Sequence, residues 1–369
     1  MLAGMMALGA MAQEGKLTVS GYYNGLGDSV RVFLVDASGE MLVQENRAIA
    51  GDKIDMTFDL KNVATLYVFG LENGQLSLEN SFSLPALPGE HAVIEGNADN
   101  FTMDGSQFYR DYHEASNLIK APQEAAQAFM RELRNNLSAG VPEAEIDKEY
   151  EEKYPALEQA LADAVLGYVK AHPDADASAM LLADLGSDTK HMKEGAALLS
   201  ERARGSLAAN MYKGILAAAE KEEASQSLQE GLEGQMAPDF TLMDINGKPL
   251  ALSSLRGKWV IIDFWGSWCG WCIKGMPKMK EYYAKYNDKL EILGVDCNDT
   301  VEKWKGAVAK HEIPWLHVYW DKDNGDNPVE LYGVQGFPTK VVVDPQGKVA
   351  KIIVGEAPSF YDYLDEVLK

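Results

Sequence analysis

The hydrophobic rhythm of the chain changes twice. From Lys16 onward, the segments KLTVSGYY, SVRVFLVD, KIDMTFDL and ATLYVFGL alternate apolar and polar positions or are dense in β-branched and aromatic residues. That is the pattern of strands with one buried face. Gly25/Gly27, Ser38-Gly39, Gly51-Asp52 and Asn73-Gly74 fall between them as turns. Short strands at a spacing of roughly ten residues predict an antiparallel β sandwich-like domain over residues 13–106.

From 107 to 232 the period lengthens to that of a helix. Leu157, Leu161, Val165 and Val169 recur at every fourth position, the stripe of an amphipathic helix. Pro122 and Pro155 suit the first turns of two helices, where a missing N–H does no harm. His172-Pro173 ends the second of these. Further Ala- and Leu-rich helices occupy residues 188–230. The acidic run Glu149, Glu151, Glu152 reads as a solvated face, because it lacks the turn glycine and interleaved ligands of a calcium loop.

Gly and Pro in GLEGQMAPDF interrupt the helical pattern and place a boundary at 232/233. Beyond it, WVIIDFW and LEILGVDC are near-continuous apolar runs, as strands buried on both faces require. A helix over 273–286 separates them. TKVVVD and AKIIVG predict a hairpin-like pair joined by Pro345-Gln346-Gly347, and SFYDYLDEVLK a closing helix. Residues 233–369 therefore form a mixed sheet with helices on both faces, the third part of a multidomain chain.

A chain of 369 residues that is 46% hydrophobic can bury more than one core. The net charge of −22 argues against nucleic acid, which needs a basic footprint, and against electrostatic docking on an anionic membrane. Residues 1–12, MLAGMMALGAMA, are one apolar run, too short to span a bilayer. The run ends in Ala10-Met11-Ala12, a small-x-small pattern before Gln13, although the basic n-region of an export signal is missing. An export signal over 1–12 is the expectation. It implies an oxidising compartment, yet three cysteines do not make a disulfide framework.

Two of those cysteines stand in Trp268-Cys269-Gly270-Trp271-Cys272, between a buried strand and a helix. The first thiol then sits at a helix N-terminus, where unpaired N–H groups and the dipole favour an anion and lower the thiol pKa. Cys269 is the expected attacking thiolate. Cys272, one turn on, can resolve a mixed disulfide. Half of a zinc site is the competing reading, but the six histidines and the lone Cys297 supply no second ligand pair, so no metal is expected. A permanent staple closing so short a loop would stabilise little. Asp263, six residues before Cys269 in an apolar strand, should have a raised pKa. It either exchanges a proton with Cys272 or hydrogen-bonds locally at the strand end. Pro277 lies inside the helix and should kink it. Cys297 is either a third redox thiol near the same sheet edge or a small buried apolar residue.

Asp263, WCGWC, Lys274 and Pro277, followed by Gly336-Phe337-Pro338-Thr339, resemble the thioredoxin superfamily. The stretch APDFTLMDINGKPLALSSLRGKWVIIDFWGSWC is similar to the exported TlpA/ResA-type, or AhpC/TSA-like, branch. The layout of 16–230 resembles the N-terminal region, a domain of unknown function, in two-part proteins of Bacteroidetes type. The resemblance implies an α/β thioredoxin fold over 233–369, a cis Pro338, and substrate contact by Trp268, Trp271, Phe337, Pro338 and Thr339. It implies protein thiols and disulfides as partners, a membrane-embedded or periplasmic electron donor, and no cofactor beyond the redox-active Cys269–Cys272 pair. The implied role is periplasmic thiol–disulfide exchange, often reductive, sometimes serving cytochrome c maturation. Gly270-Trp271 replaces the proline that many members carry between the cysteines, which bears on the reduction potential. Trp271 either shapes the peptide-binding surface or shields the second thiol. The peroxidase version of the family is set aside, because Phe264 and Gly266 stand where its threonine loop would be. Two functions of different class remain: an exported thiol–disulfide oxidoreductase, or a partner-binding scaffold whose CxxC is structural or vestigial.

Overall fold

A computed structural model describes residues 15–322 and 325–369, so the expected export signal lies outside the described residues. The chain divides into two compact units, with the division between Glu220 and Lys221. Among the described residues no helix is long and apolar enough to cross a membrane.

The first unit opens with eight strands: β1 (Lys16–Asn24), β2 (Ser29–Asp36), β3 (Met41–Ala48), β4 (Lys53–Asp59), β5 (Ala64–Glu72), β6 (Gln75–Ala86), β7 (His91–Asn97) and β8 (Phe101–Gly105). They form two four-stranded sheets, ordered β4-β1-β7-β8 and β3-β2-β5-β6. The alternation seen in the sequence is real burial. Leu17, Val19, Ile54, Met56 and Phe58 of one sheet share a hydrophobic cluster with Val30, Val32, Leu34, Leu66 and Val68 of the other. The expected antiparallel pairing holds except at β1–β7, which is parallel. After β4 pairs with one edge of β1, β5 and β6 carry the chain through the other sheet before β7 returns on the other edge of β1. Strands β3, β6, β7 and β8 are not singled out in the sequence reading, the first two for visible local reasons. β3 is mostly exposed, and the β5–β6 ladder shifts register at Phe69/Gly70, which breaks the alternation.

The helices are α1 (Gln107–Ser138), α2 (Glu143–Ala171), α3 (Asp176–Leu181), α4 (Thr189–Leu198), α5 (Glu201–Arg204) and α6 (Ala209–Leu232). Pro122 and Pro155 lie inside α1 and α2, not at their starts. An interior proline costs about 3 kcal/mol. In α1 that cost is offset by the apolar face upstream of Pro122, where Phe108, Tyr109, Ala115 and Ile119 are buried. Helix and strand residues share a single cluster, so the β-rich and helical parts form one unit rather than two. The end of α6 belongs to the second unit. There the Gln229 side-chain amide donates to the Gly333 carbonyl at 2.8 Å, and the Ser225 hydroxyl donates to the same oxygen. The unit boundary thus precedes the expected 232/233 position by roughly three helical turns.

The second unit holds β9 (Thr241–Asp244), β10 (Pro249–Ala251), β11 (Trp259–Trp265), β12 (Leu290–Asp296), β13 (Leu316–Tyr319), β14 (Thr339–Val343) and β15 (Val349–Val354). They make one seven-stranded sheet, ordered β10-β9-β13-β12-β11-β14-β15. β11, β12 and β13 are parallel, and β14–β15 is the expected antiparallel pair. The helices are α7 (Gly270–Tyr286), α8 (Val301–Lys310), α9 (Pro328–Leu331) and α10 (Pro358–Val367). Both sheet faces are covered. Ile261, Trp265, Met276, Met279 and Phe360 pack in one core, and Val260, Ile262, Phe264, Val295 and Val341 in the other. β9, β10 and β13 span only three or four residues each, too few to show a period.

Candidate active site

Strand β11 delivers the chain to the sheet edge, and α7 begins at Gly270, three residues before the sequence reading has it. Cys269 is the N-cap of α7 in extended conformation, and its sulfur accepts the Cys272 N–H at 3.1 Å. The two cysteines are joined in a disulfide, with their Cα atoms 5.3 Å apart. Both are buried to the same extent, so exposure does not tell them apart. What does is the helix end: only the Cys269 sulfur stands beyond the first turn, facing its free N–H groups.

The preceding loop is tied down from the neighbouring strand. Ser267 donates its N–H (2.6 Å) and its hydroxyl (2.7 Å) to the Asp299 carboxylate. The Trp268 indole N–H donates to the Cys297 carbonyl at 3.0 Å. A side chain at Gly266 would collide with that indole, so the glycine admits the tryptophan.

Trp268 stands 51% exposed with its ring edge-on to Phe337 at 5.2 Å, and Trp271 is 64% exposed beneath the Lys274 ammonium. The Phe337–Pro338 peptide bond is cis. The dithiol helix end, Trp268 and Phe337 thus lie together. Thr339 is a correction: it is fully buried, and its hydroxyl donates to the Gly336 carbonyl at 2.8 Å, so its side chain is not presented to a partner. Pro277 lies within α7 and is exposed. Cys297 is buried in the core on the opposite face of the sheet from the disulfide. Burial, and then the charge of Asp296, push its thiol well above its usual range. It packs there as a small buried residue.

Beneath α7 the sheet is charged. Asp263 is buried, and burial pushes its carboxyl up to about 6, against the opposing pull of Lys340. Lys340 faces it from β14 in direct cross-strand register. Its ammonium pairs with Glu356 at 2.7 Å, and the Tyr361 hydroxyl donates to the same carboxylate at 2.5 Å. Farther along this face Asp296 is pushed up to about 9, first by burial and then by the charge of Asp299. His317 is pushed down to about 4 by burial. Lys340, Glu356, Tyr361 and Asp299 were not foreseen. Each is an ordinary polar residue in sequence, and only long-range register makes it part of the site. Among the described residues, no group of three or more His, Cys, Asp or Glu is placed to hold a metal ion.

Residues 234–352 match the AhpC/TSA family. The thiol-disulfide oxidoreductase ResA of Bacillus cereus (strain ATCC 10987 / NRS 248) is 34% identical over 166 residues, covering 45% of this chain and 88% of that protein. ResA of Bacillus subtilis (strain 168) is 32% identical over 136 residues, covering 36% and 74%. A solved thioredoxin domain of a thiol-disulfide oxidoreductase from Bacteroides vulgatus is 31% identical, covers 37% of this chain and 98% of its own, and has a TM-score of 0.34. The extent and identity of the Bacillus matches establish a thiol–disulfide oxidoreductase. The chain belongs to the thioredoxin superfamily, in its TlpA/ResA-like branch.

The buried carboxyl gives a sign for stability. The Asp263 pKa is raised from 3.8 to about 6, so the fold favours the protonated form. The stabilisation is complete below pH 3.8 and is lost as pH rises through about 6. Asp263→Asn should therefore raise the unfolding free energy at pH 7 by up to about 3 kcal/mol, and by much less at pH 4, as read from urea midpoints. A loss of stability at pH 7 would contradict burial as the cause.

Proposed function

We propose that this chain is an exported thiol–disulfide oxidoreductase that works as a reductase, with Cys269 as nucleophile, Cys272 as resolving thiol and Asp263 as the proton acceptor. The observation that carries the reading is the Cys272 N–H directed at the Cys269 sulfur from the first turn of α7. In the dithiol form, the Cys269 thiolate attacks a substrate disulfide. One substrate sulfur leaves and takes a proton, and the other is bonded to Cys269. Cys272 then gives its proton to Asp263 and attacks the Cys269 sulfur. The Cys269–Cys272 bond forms, the second substrate sulfur leaves and is protonated, and two electrons have passed from the dithiol to the substrate.

The direction is supported by Asp263. With a pKa of about 6 it is mostly ionised at neutral pH, ready to accept a proton from Cys272. Trp268, Trp271 and Phe337 are read as the apolar surface on which an extended substrate segment lies. Pro338 is read as the turn that presents the backbone beside it, with the contribution of Thr339 limited to its backbone. Pro277 has a structural role in α7. The export reading rests on residues 1–12 and on the resemblance to the exported branch, as do a periplasmic or membrane-embedded electron donor and service to cytochrome c maturation.

In an insulin-reduction assay, Cys269→Ser should abolish activity, whereas Cys272→Ala should accumulate a mixed disulfide visible by intact mass. Full activity in Cys269→Ser would favour the scaffold reading instead. The reduction potential should lie nearer the roughly −270 mV of a reductive thioredoxin than the roughly −120 mV of a strong oxidant. A value at the oxidising end would reverse the proposed direction.

A further inference from the structure

A lysine with 2% of its surface exposed, lying between the buried Asp263 and the partly buried Glu356 under a redox helix, is unusual enough to need a cause. Lys340 sits directly across from Asp263 on the adjacent antiparallel strand, so the two side chains leave the sheet on the same face. Yet its ammonium makes its 2.7 Å ion pair with Glu356, two residues past β15, while Asp263 Oδ1 has no hydrogen-bond partner among the described residues. Glu356 is held from its other oxygen by the Tyr361 hydroxyl of α10. Its carboxylate also occupies the place where a side chain at residue 275 would begin. Gly275 is three residues past Cys272 on α7. The glycine therefore opens a gap in the helix, and a carboxylate from a distant part of the chain fills it.

We propose that Lys340 and Glu356 are positioning residues for the exchange reaction: by engaging the ammonium, Glu356 leaves Asp263 free to take the proton of Cys272. This rests on the reading of Asp263 as the base for Cys272. The electrostatics are those of one cation shared by two anions. With Lys340 alone beside it, Asp263 would be held ionised and would be a poor proton acceptor. With Glu356 alone, the two carboxylates would repel, and Asp263 would stay protonated at neutral pH. Together they leave a base whose strength is set by how the lysine is divided. Among the described residues, the charged and titratable groups on this side of the unit include Cys269, Cys272, Lys278 and Tyr282 on α7, Tyr361 on α10, and Asp296 and His317 farther along the sheet. Cys297, from the opposite face, also feels the charge of Asp263.

The test is the titration of the Asp263 carboxyl in the reduced full-length chain, followed by infrared difference spectroscopy. It is paired with the pH profile of single-turnover reduction of a disulfide-bonded model peptide. Lys340→Met should raise the Asp263 midpoint by at least about one pH unit, and Glu356→Gln should lower it by a similar amount. The pH midpoint of the reaction should move in the same directions. Either single change can unsettle the fold, so the neutral pair Lys340→Met with Glu356→Gln is the control, and it should return both midpoints toward wild type. Midpoints unmoved or displaced in the same direction by the two changes, while Asp263→Asn still slows the reaction, would overturn the inference and leave Asp263 as base intact. An Asp263→Asn chain that reacts at the wild-type rate and with the wild-type pH profile would instead remove the reading beneath it, and the inference with it.

Discussion

One hydrogen bond organises the second unit of this protein: the Cys272 amide pointing at the Cys269 sulfur across the open end of α7. For that bond to form, the chain must leave β11, turn, and enter a helix with the cysteine held at the cap. The turn is secured from β12's side, by Asp299 on Ser267 and by the Cys297 carbonyl on Trp268. Because β11 and β12 run parallel, their carboxyl ends reach the same edge, and the restraints come from the neighbouring connection. The sheet topology is in this sense a device for holding a helix cap.

Beneath the cap lies a set of buried ionisable groups. A dry environment disfavours charge of either sign, which moves Asp263 and Asp296 up and His317 down. Asp296 is fully buried beside the Asp299 carboxylate, which accepts from Ser267. Burial and that neighbouring charge together keep Asp296 protonated at neutral pH. Asp263 is different, because a buried lysine balances it. The same burial that makes Asp263 a liability for stability makes it useful to a neighbouring thiol.

The parts of this arrangement that were legible in the sequence are the local ones. WCGWC, the strand before it and the helix after it lie within about thirty residues, and Asp263 stands out because an acid in WVIIDFW has nowhere else to go. Lys340 gave no such signal. In TKVVVD it looks like the usual polar residue at the mouth of a strand, and its burial depends on β14 lying between β11 and β15. Glu356 was hidden for the same reason, and nothing in the sequence marks Gly275 as the gap it fills. In the first unit, Pro122 and Pro155 misled in the same way: a local rule about helix starts gave way to the packing of the whole helix face. What the alternation of β1, β2, β4 and β5 could not reveal was that strands and helices share one core.

The most direct measurement is the ionisation of Cys269 in the reduced protein, followed by thiolate ultraviolet absorbance and checked in a chain whose other two cysteines are replaced by serine. A sulfur held by a helix end should ionise well below the roughly 8.5 of a free thiol. A midpoint at or above that value would mean that the cap does not stabilise the anion, and the assignment of Cys269 as the attacking sulfur would fall.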